Sequence, residues 1–400
     1  MTEKYQSLKE KEARPTQIGW LGPKGTFTEK AAKRWQTELG ESKANLANDY
    51  CSNITAIFNG VLDGSLDFGV VPIENTIGGP VRDTHAALED LSGIRIVGEV
   101  VLPIQEYFYS QDDQQVTVIA SKDQALSQAA SWIKTNYPEA NKLEVSSTSF
   151  AVQMAAENPT IGAIAGPDAA VELGLSEKLK RTEQSVEDNK ANTTTFVAIA
   201  KSTDSSEPTG NDKTTLILEL SDRAGSLYSV LAELARKEIN LTKIKSLRST
   251  DGKIRFLISI DGHQKEEKTE SALSILVDKG AKLKMLGSYA KDNYIPKYKV
   301  EPDISNAIQM IEKEAKNGDS NNKDNAVMVF NLPNQVGALA NVLRIFAERN
   351  INLTKIDSMP SGNFEEYIFY LAFDKNNVAN REELMKELAR HYNQIVLLDY

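Results

Sequence analysis

The stretch KEINLTKI at residues 237–244 returns almost unchanged as RNINLTKI at residues 349–356, with six consecutive identical residues at an offset of 112. The same offset carries the turn AGSL at 224–227 onto VGAL at 336–339. Self-similarity at a fixed spacing indicates a duplicated structural unit. In each copy an apolar strand precedes the glycine turn, and an amphipathic helix, a second strand and a hairpin follow it. The sequence therefore predicts two α+β modules of the ferredoxin-like type, each with a β-α-β-β-α-β order.

The sequence upstream of the repeats alternates between strand-like and helix-like patterns. Apolar strand patterns occur at 17–21, 68–73, 94–102, 116–120 and 161–165, with helical patterns such as 27–35 and 125–132 between them. Alternation of this kind predicts an α/β domain in which helices cover the sheet on both faces.

Polar segments separate the predicted domains. Residues 201–213 and 316–325 are rich in polar residues and glycine and have the composition of linkers. Residues 1–15 have the composition of a solvated tail. The predicted domains are residues 16–200, 213–298 and 324–400.

Composition limits the class of protein. With 40% apolar and 26% charged residues, 400 residues suffice for several independent cores. No stretch approaches the roughly 18 apolar residues of a membrane span, and the charged start lacks the apolar segment of a signal peptide, so we expect a cytoplasmic protein. The net charge of −10 argues against a nucleic-acid surface and favours small-molecule partners. Cys51 is the only cysteine and the three histidines lie far apart, so we expect no disulfide within the chain, no metal site and no cofactor.

Five motifs resemble those of the prephenate dehydratase family and occur in the family's order. They are GPKGTFTEKAA from Gly22, VVPIENTIGGPV from Val70, SKDQALSQ from Ser121, STSFAVQMAA from Ser147 and EDNKANTTTF from Glu187. The resemblance is to the monofunctional bacterial and archaeal type. It implies a two-lobed α/β domain of the type II periplasmic-binding-protein kind. It also implies a lyase that converts prephenate into phenylpyruvate, water and carbon dioxide in phenylalanine biosynthesis.

The same resemblance implies which residues act on the substrate. Thr194 falls on the family's catalytic threonine, and Glu74 and Asn75 fall on residues that line the cleft. The Thr194 hydroxyl would donate to the departing oxygen, and Glu74 would supply a proton or orient the substrate. We expect these three residues to be catalytic. The residues implied to bind the substrate are Gly25, Thr26, Thr76, Ser121, Gln128 and Phe196.

The two repeats resemble ACT domains, small modules that commonly bind amino acids where two of them pair. The second repeat keeps the family's GAL turn and has DSMP from Asp357 in place of its ESRP turn, whereas the first has KSLR from Lys245. A helix that begins after a glycine turn presents free N–H groups to a carboxylate. We expect phenylalanine as an allosteric effector, with the second repeat the better candidate. The implied effector-binding residues are Gly225, Ser226, Leu227, Gly337, Ala338, Leu339, Asp357 and Ser358.

The pairing of the repeats stays open at this stage. Single ACT modules usually pair between chains, which predicts a homodimer or a higher homo-oligomer. Two modules in one chain can pair internally or across a dimer.

Two departures from the family pattern leave the reaction open. Thr195 stands where the family has arginine, and Lys122-Asp123 replaces its His-Pro. A lost charge-assisted hydrogen bond costs about 1.5 to 3 kcal/mol unless another cation replaces it. Besides Lys122, the candidate replacements are Lys24, Arg82 and Arg181. The alternatives are therefore an arogenate dehydratase, a prephenate decarboxylase that does not aromatise the ring, or a catalytically silent amino-acid-binding regulator.

Overall fold

The computed structural model describes residues 16–40, 44–47, 49–112, 115–202, 206–247, 253–295, 304–316, 325–361, 365–374, 381–392 and 395–399. It divides into two compact units near residue 205. The predicted N-terminal tail, most of the linker at 316–325, Arg248 and the predicted module limits at 298, 324 and 400 lie outside the described residues. No helix within the described ranges is long and apolar enough to cross a membrane.

The first lobe of the N-terminal unit is a mixed sheet packed with helices. Its elements are β1 (Thr16–Trp20), α1 (Phe27–Leu39), β2 (Ala44–Leu46), α2 (Ile54–Asp63), β3 (Phe68–Asn75), β4 (Gly79–Pro80), α3 (Arg82–Asp90) and β5 (Ile94–Pro103). The strand order is β2-β1-β3-β11-β5, in which β11 (Thr193–Lys201) returns from the far end of the unit. Because β11 runs antiparallel to β3, Thr194 lies opposite Asn75 although 119 residues separate them.

The second lobe is a five-stranded sheet of order β10-β6-β9-β7-β8. Its elements are β6 (Tyr107–Ser110), β7 (Val118–Ser121), α4 (Asp123–Gln128), α5 (Ala130–Asn136), β8 (Asn141–Glu144), α6 (Thr148–Glu157), β9 (Ile161–Ala165), α7 (Ala169–Glu172) and β10 (Lys180–Arg181). The helix predicted at 125–132 is two short helices, because Ala129 leaves the helical conformation at φ −111°. Ser147 begins α6 as its N-cap, accepting the N–H of Phe150 at 3.0 Å.

The second unit contains the two repeats with the predicted element order. The first comprises β12 (Asp212–Leu220), α8 (Ser226–Arg236), β13 (Leu241–Leu247), β14 (Ile254–Asp261), α9 (Glu267–Asp278) and β15 (Lys282–Ala290). After α10 (Ile304–Lys316), the second comprises β16 (Asn325–Pro333), α11 (Ala338–Glu348), β17 (Leu353–Pro360), β18 (Glu366–Asp374), α12 (Arg381–His391) and β19 (Ile395–Asp399). Helices α8 and α11 follow Gly225 and Gly337, whose φ angles of 82° and 80° favour glycine.

The repeats join in one eight-stranded sheet of order β15-β12-β14-β13-β17-β18-β16-β19. The antiparallel pairing of β13 with β17, called the repeat junction below, links them within a single chain. Apolar residues of both repeats, among them Leu234 and Phe346, form one continuous core. Helix α10 packs Ala307 and Ile311 against a separate cluster that includes Val329. In this structure the two repeats pair within the chain.

The contacts at the repeat junction are reciprocal. Ser246 Oγ donates to the carbonyl of Ile356 at 2.9 Å and accepts its N–H at 2.8 Å. Ser358 Oγ makes the equivalent two bonds with Ile244, at 3.1 and 2.9 Å. Since equivalent residues differ by 112, the two repeats are related by an approximate two-fold axis through the junction.

Two further reciprocal contacts follow the same axis. Asn240 Nδ2 donates to Oδ1 of Asn334, and Asn352 Nδ2 donates to Oδ1 of Asp222, each at 2.7 Å. Each glycine turn also packs against a helix of the other repeat. A Cβ atom added at Gly225 would lie 3.4 Å from Ala347 Cβ, and one added at Gly337 would lie 3.5 Å from Ala235 Cβ.

Candidate functional site

Asn75, at the end of β3, organises the polar end of the first lobe. Its Oδ1 accepts the backbone N–H groups of Ile77 and Gly78 at 3.0 and 2.6 Å, and its Nδ2 donates to Thr194 Oγ1 at 2.9 Å and to Asn192 Oδ1 at 2.8 Å. The two backbone donors determine which end of the amide is oxygen. The Thr194 hydroxyl therefore accepts from Asn75 and keeps its own proton to donate elsewhere.

The strand register places the other predicted residues of β11 around this pair. Asn75 and Thr194 are each 8% exposed, which shields their hydrogen bond from water. Thr195 lies opposite Glu74, and a bulge follows between Thr195 and Phe196. Bulges re-aim side chains next to functional sites. Phe196 is buried and packs in the core of the lobe.

Asn192 is a site residue that sequence reasoning missed. Its Oδ1 accepts from Asn75 Nδ2 at 2.8 Å and from Thr76 Oγ1 at 3.3 Å. Thr76 Oγ1 in turn accepts the N–H of Thr193 at 2.9 Å. Asn192 is only 1% exposed, and its Nδ2 has no partner among the described residues. A buried donor of this kind can bind a substrate oxygen. The available signal was its place two residues before Thr194 in EDNKANTTTF.

The second lobe carries two of the predicted residues, Ser121 and Gln128, and a third residue that was not predicted. Ser121 is fully buried and its Oγ donates to the carbonyl of Ile164 at 2.6 Å, which leaves only its lone pairs for a ligand. Gln128 Nε2 is buried without a partner in the described part of the chain. Gln124 lies nearer the Asn75 loop, because its Nε2 is 3.0 Å from a Cβ atom added at Gly78. The motif SKDQALSQ thus meets ENTIGG through Gln124, which sequence reasoning did not single out.

The glycine turn before α1 meets the second lobe at another point. Gly25 N–H donates to Glu29 Oε2 at 2.6 Å, and Thr26 is the N-cap of α1. A Cβ atom added at Gly25 would lie 3.2 Å from Ser149 Oγ. Ser149 is buried, and its Oγ lacks a partner within the described ranges. The first and fourth motifs therefore approach each other, with a buried hydroxyl at their contact.

A cavity opens beside this contact and is lined by Gly25, Thr26, Lys30, Lys33 and Asp168. Lys30 pairs with Asp168 and Lys33 with Glu172, each at 2.6 Å. These two lysines were not predicted, and both are positioned by carboxylates of the second lobe.

The four predicted anion partners are not drawn together. The Arg181 guanidinium lies 4.3 Å above the ring of Tyr107 and donates to the carbonyl of Pro167 at 2.8 Å. Lys24, Arg82 and Lys122 are exposed. Their role in binding an anion stays a prediction.

Glu106 is a buried carboxyl on the crossing between the lobes. It is 4% exposed, and its backbone N–H donates to Glu187 Oε2 at 2.9 Å. Burial, with a smaller contribution from the negative charge of Glu187, raises the pKa of Glu106 to about 8. Two residues earlier, Ile104 N–H donates to the carbonyl of Asn192 at 2.8 Å. The crossing that carries Glu106 is therefore tied directly to the Asn75 network.

Two pockets form between the repeats, one at each glycine turn. The first is lined by Gly225, Ser226 and Leu227 together with Phe346 and Asn352 of the other repeat. The second is lined by Gly337, Ala338 and Leu339 together with Leu231 and Leu241. All six predicted turn residues therefore line pockets that need both repeats.

Asp357 and Ser358 lie at the repeat junction. The Asp357 carboxylate accepts from Ser246 N–H and Tyr370 OH, at 2.8 and 2.6 Å. Ser358 Oγ is bonded to Ile244. Their predicted effector role is therefore separate from the linings of the two pockets.

Comparisons with known proteins match two parts of the chain to known domain families. Residues 18–204 match the sequence profile of the family described as prephenate dehydratase, and residues 326–390 match that of the ACT domain. The chain is 37% identical over 278 residues to a bifunctional chorismate mutase/prephenate dehydratase of Aquifex aeolicus, a match that covers 68% of this chain and 73% of the relative. It is 34% identical over 271 residues to a prephenate dehydratase of Methanocaldococcus jannaschii, covering 67% of this chain and 95% of the relative.

A solved structure shares the fold. The crystal structure of a prephenate dehydratase from Arthrobacter aurescens in complex with L-Phe has a TM-score of 0.62 and 28% sequence identity, and the match covers 75% of this chain and all of that one. The predicted two-lobed α/β domain with a C-terminal ACT module is thereby confirmed.

Proposed function

Because the chain belongs to the prephenate dehydratase family, we propose that it is a carbon-oxygen lyase that converts prephenate into phenylpyruvate, carbon dioxide and water. Relatives that are 34 to 37% identical over about two thirds of the chain carry this activity in their names. The observation that carries the assignment to residues is the contact from Asn75 Nδ2 to Thr194 Oγ1. It holds a hydroxyl proton ready at the end of two paired strands.

The reaction needs positioning more than a strong nucleophile. The ring carboxylate leaves as carbon dioxide, the electron pair of the broken C–C bond completes the aromatic ring, and the ring hydroxyl departs. Thr194 donates its hydrogen bond to the departing oxygen. As the Thr194 proton shifts to the departing hydroxide to form water, the N–H of Asn75 stabilises the negative charge that develops on Thr194 Oγ1, and a proton from solvent then restores the hydroxyl. Protein donors fixed in advance need no rearrangement when the charge appears.

The substrate carboxylates are held by donors that the protein leaves unpaired. Asn192 Nδ2, Ser149 Oγ and Gln128 Nε2 are buried polar atoms without a partner among the described residues. Asn192 lies in the Asn75 network, and Ser149 lies against the Gly25 turn. Gln124 and the lysines beside Gly25 supply further donors. Glu74, across the strands from Thr195, orients the substrate or supplies a proton.

Regulation by phenylalanine involves the repeats. The ACT profile covers the second repeat, and a relative of similar structure was solved with L-Phe bound. We assign the first repeat, within residues 213–298, to the same type, since it has the same order of elements and pairs reciprocally with the second. Each pocket between the repeats takes one phenylalanine, its carboxylate facing the N-terminus of α8 or of α11. A homodimer and a cytoplasmic location stay predictions.

Assays of the purified full chain test the enzymatic proposal. Prephenate should give phenylpyruvate, identified by ultraviolet absorbance and mass spectrometry. If prephenate gives no phenylpyruvate but arogenate gives phenylalanine, the substrate is arogenate and the protein is an arogenate dehydratase. A decarboxylated, non-aromatic product from prephenate would identify a prephenate decarboxylase. Phenylalanine binding without any turnover would indicate a catalytically silent regulator.

Matched substitutions test the two effector pockets. Ser226 and Ala338 are equivalent residues, one in each lining. Calorimetry should find two phenylalanines per chain, and Ser226→Phe or Ala338→Phe should each reduce this to one by filling a pocket. If both variants still bind two, the pockets are not the effector sites. Light scattering on the same samples tests the homodimer.

A further inference from the structure

The repeat junction sets one position of each repeat opposite its own counterpart. Lys245 and Asp357 are equivalent by the offset of 112, and they are the paired residues at which β13 meets β17. The reciprocal bonds of Ser246 and Ser358 lie immediately beside them. In a symmetric pair of identical modules, a residue placed here would face itself. In this chain it is a lysine in one repeat and an aspartate in the other.

The two side chains form an ion pair that is largely withdrawn from solvent. Lys245 Nζ lies 3.5 Å from Asp357 Oδ2, and the side chains are 20% and 7% exposed. The carboxylate is also held by the Ser246 N–H of the first repeat and by Tyr370 of its own. Two like charges at this position would repel each other at short range in a poorly solvated interface.

We propose that the Lys245–Asp357 pair is a pairing determinant that makes each repeat the partner of the other and excludes pairing between like repeats of two chains. Two copies of β13 would oppose two lysines, and two copies of β17 would oppose two aspartates. Pairing of unlike repeats sets a positive charge against a negative one, whereas pairing of like repeats sets two equal charges against each other. The ion pair therefore favours pairing of unlike repeats. The connection through one chain adds a high effective concentration. Strand β13 therefore pairs with β17 of its own chain, so that the repeat junction is not available for a dimer of chains.

Disulfide capture in the full chain tests the partner. Lys245→Cys and Asp357→Cys are introduced singly and together into a Cys51→Ser background, because Cys51 is the only native thiol. Directly opposite residues of antiparallel strands have Cα atoms about 4.5 to 5.5 Å apart, within disulfide reach. The oxidised proteins are separated by non-reducing electrophoresis and mapped by mass spectrometry.

We expect the double variant to form a disulfide between positions 245 and 357 of one chain, and both single variants to remain monomeric on the gel. A covalent dimer of either single variant would overturn the proposal, because like repeats would then face each other. A covalent dimer of the double variant would show that β13 pairs with β17 of another chain, which would contradict the proposed pairing within one chain. Free thiols in the oxidised double variant would overturn the pairing itself.

Charge reversal tests the role of the ion pair. Lys245→Glu sets two acids against each other, and Asp357→Lys sets two lysines against each other. Each should lower the thermal unfolding midpoint by several degrees and speed amide hydrogen exchange in β13 and β17. The swapped pair, Lys245→Glu with Asp357→Lys, should recover part of both effects, since opposite charges face again. If the swapped protein loses as much stability as the two single variants together, the charges do not determine the pairing of the repeats. These measurements need neither prephenate nor phenylalanine, so they stand apart from the enzymatic proposal.

Discussion

Asn75 Nδ2 donates a hydrogen bond to Thr194 Oγ1 over 2.9 Å, joining residues that lie 119 positions apart in the chain. The bond exists because β11 inserts beside β3 and runs antiparallel to it. Thr194 Oγ1 accepts this bond, so the Thr194 proton remains to be donated to another group. The catalytic proposal depends on this direction, which the oxygen end of Asn75 sets through Ile77 and Gly78.

Removal of the Thr194 hydroxyl is the most direct test. Thr194→Ala should lower kcat by about 10²- to 10³-fold with little change in KM, as removal of one transition-state donor does. Thr194→Ser keeps the hydroxyl and should stay within about tenfold of the parent. Initial rates of phenylpyruvate formation measure both. An alanine variant as fast as the parent, with an unchanged unfolding midpoint, would exclude Thr194 from the chemistry.

Asn192 should act both on Asn75 and on the substrate. Asn192→Ala removes the acceptor for Asn75 and Thr76, and we expect kcat/KM to fall about 10- to 100-fold. Asn192→Asp keeps an acceptor but replaces the unpaired Nδ2 donor with negative charge, so its main effect should be a higher KM. Steady-state kinetics separate the two parameters. An Asp variant with parental KM would show that Nδ2 does not contact the substrate.

Thr195 allows a gain of function to be tested. Arginine at this position would return a cation opposite Glu74, at the edge of the candidate site. A charge-assisted hydrogen bond contributes about 1.5 to 3 kcal/mol, so Thr195→Arg should lower the KM for prephenate about 10- to 100-fold. Thr195→Gln serves as the uncharged control of similar length. If KM is the same in all three proteins, another cation already supplies this charge.

Glu106 should make stability depend on pH in an unusual direction. Its ordinary pKa is 4.5, and burial raises the pKa to about 8 in the folded chain. Between these values the unfolded chain has lost a proton that the folded chain keeps, so the free energy of unfolding falls as pH rises from about 4.5 to 8. The accumulated loss is on the order of 4 to 5 kcal/mol.

Replacing the titrating group should remove this dependence. Glu106→Gln should be more stable than the parent at pH 8 and should lose that advantage near pH 5. Denaturant unfolding at both values measures it, with Glu177→Gln, an exposed site in the same unit, as the control. Parallel pH curves for parent and Glu106→Gln would show that this carboxyl is not the cause.

The sequence predicted the composition of the site better than its geometry. The five motifs identify Asn75 and Thr194, and the repeat offset identifies both glycine turns, because residue types and spacings are enough to recognise these features. Residue types and spacings do not show where a side chain points. Ser121 turns inward to Ile164, and Gln124, three residues later, reaches the Asn75 loop instead. Strand order was equally hidden, since nothing in residues 193–201 states that they pair with β3.

The repeat junction shows a second limit of the same kind. Asp357 and Ser358 were expected to touch an effector because they stand in a known turn motif. Asp357 accepts from Ser246 of the other repeat and from Tyr370 of its own, and Ser358 bonds to Ile244 of the other repeat. These contacts depend on which strands lie side by side, which residue types and spacings do not show. The break at Ala129 likewise depends on packing, since the apolar pattern continues through it.

The reciprocal contacts also bear on how the protein can change over generations. When two identical subunits meet, a single codon change alters both sides of their interface at once. Here each side has its own codon, and the sides have already diverged, since Asn240 meets Asn334 whereas Asn352 meets Asp222. The lining of one pocket can therefore change without the same change in the other.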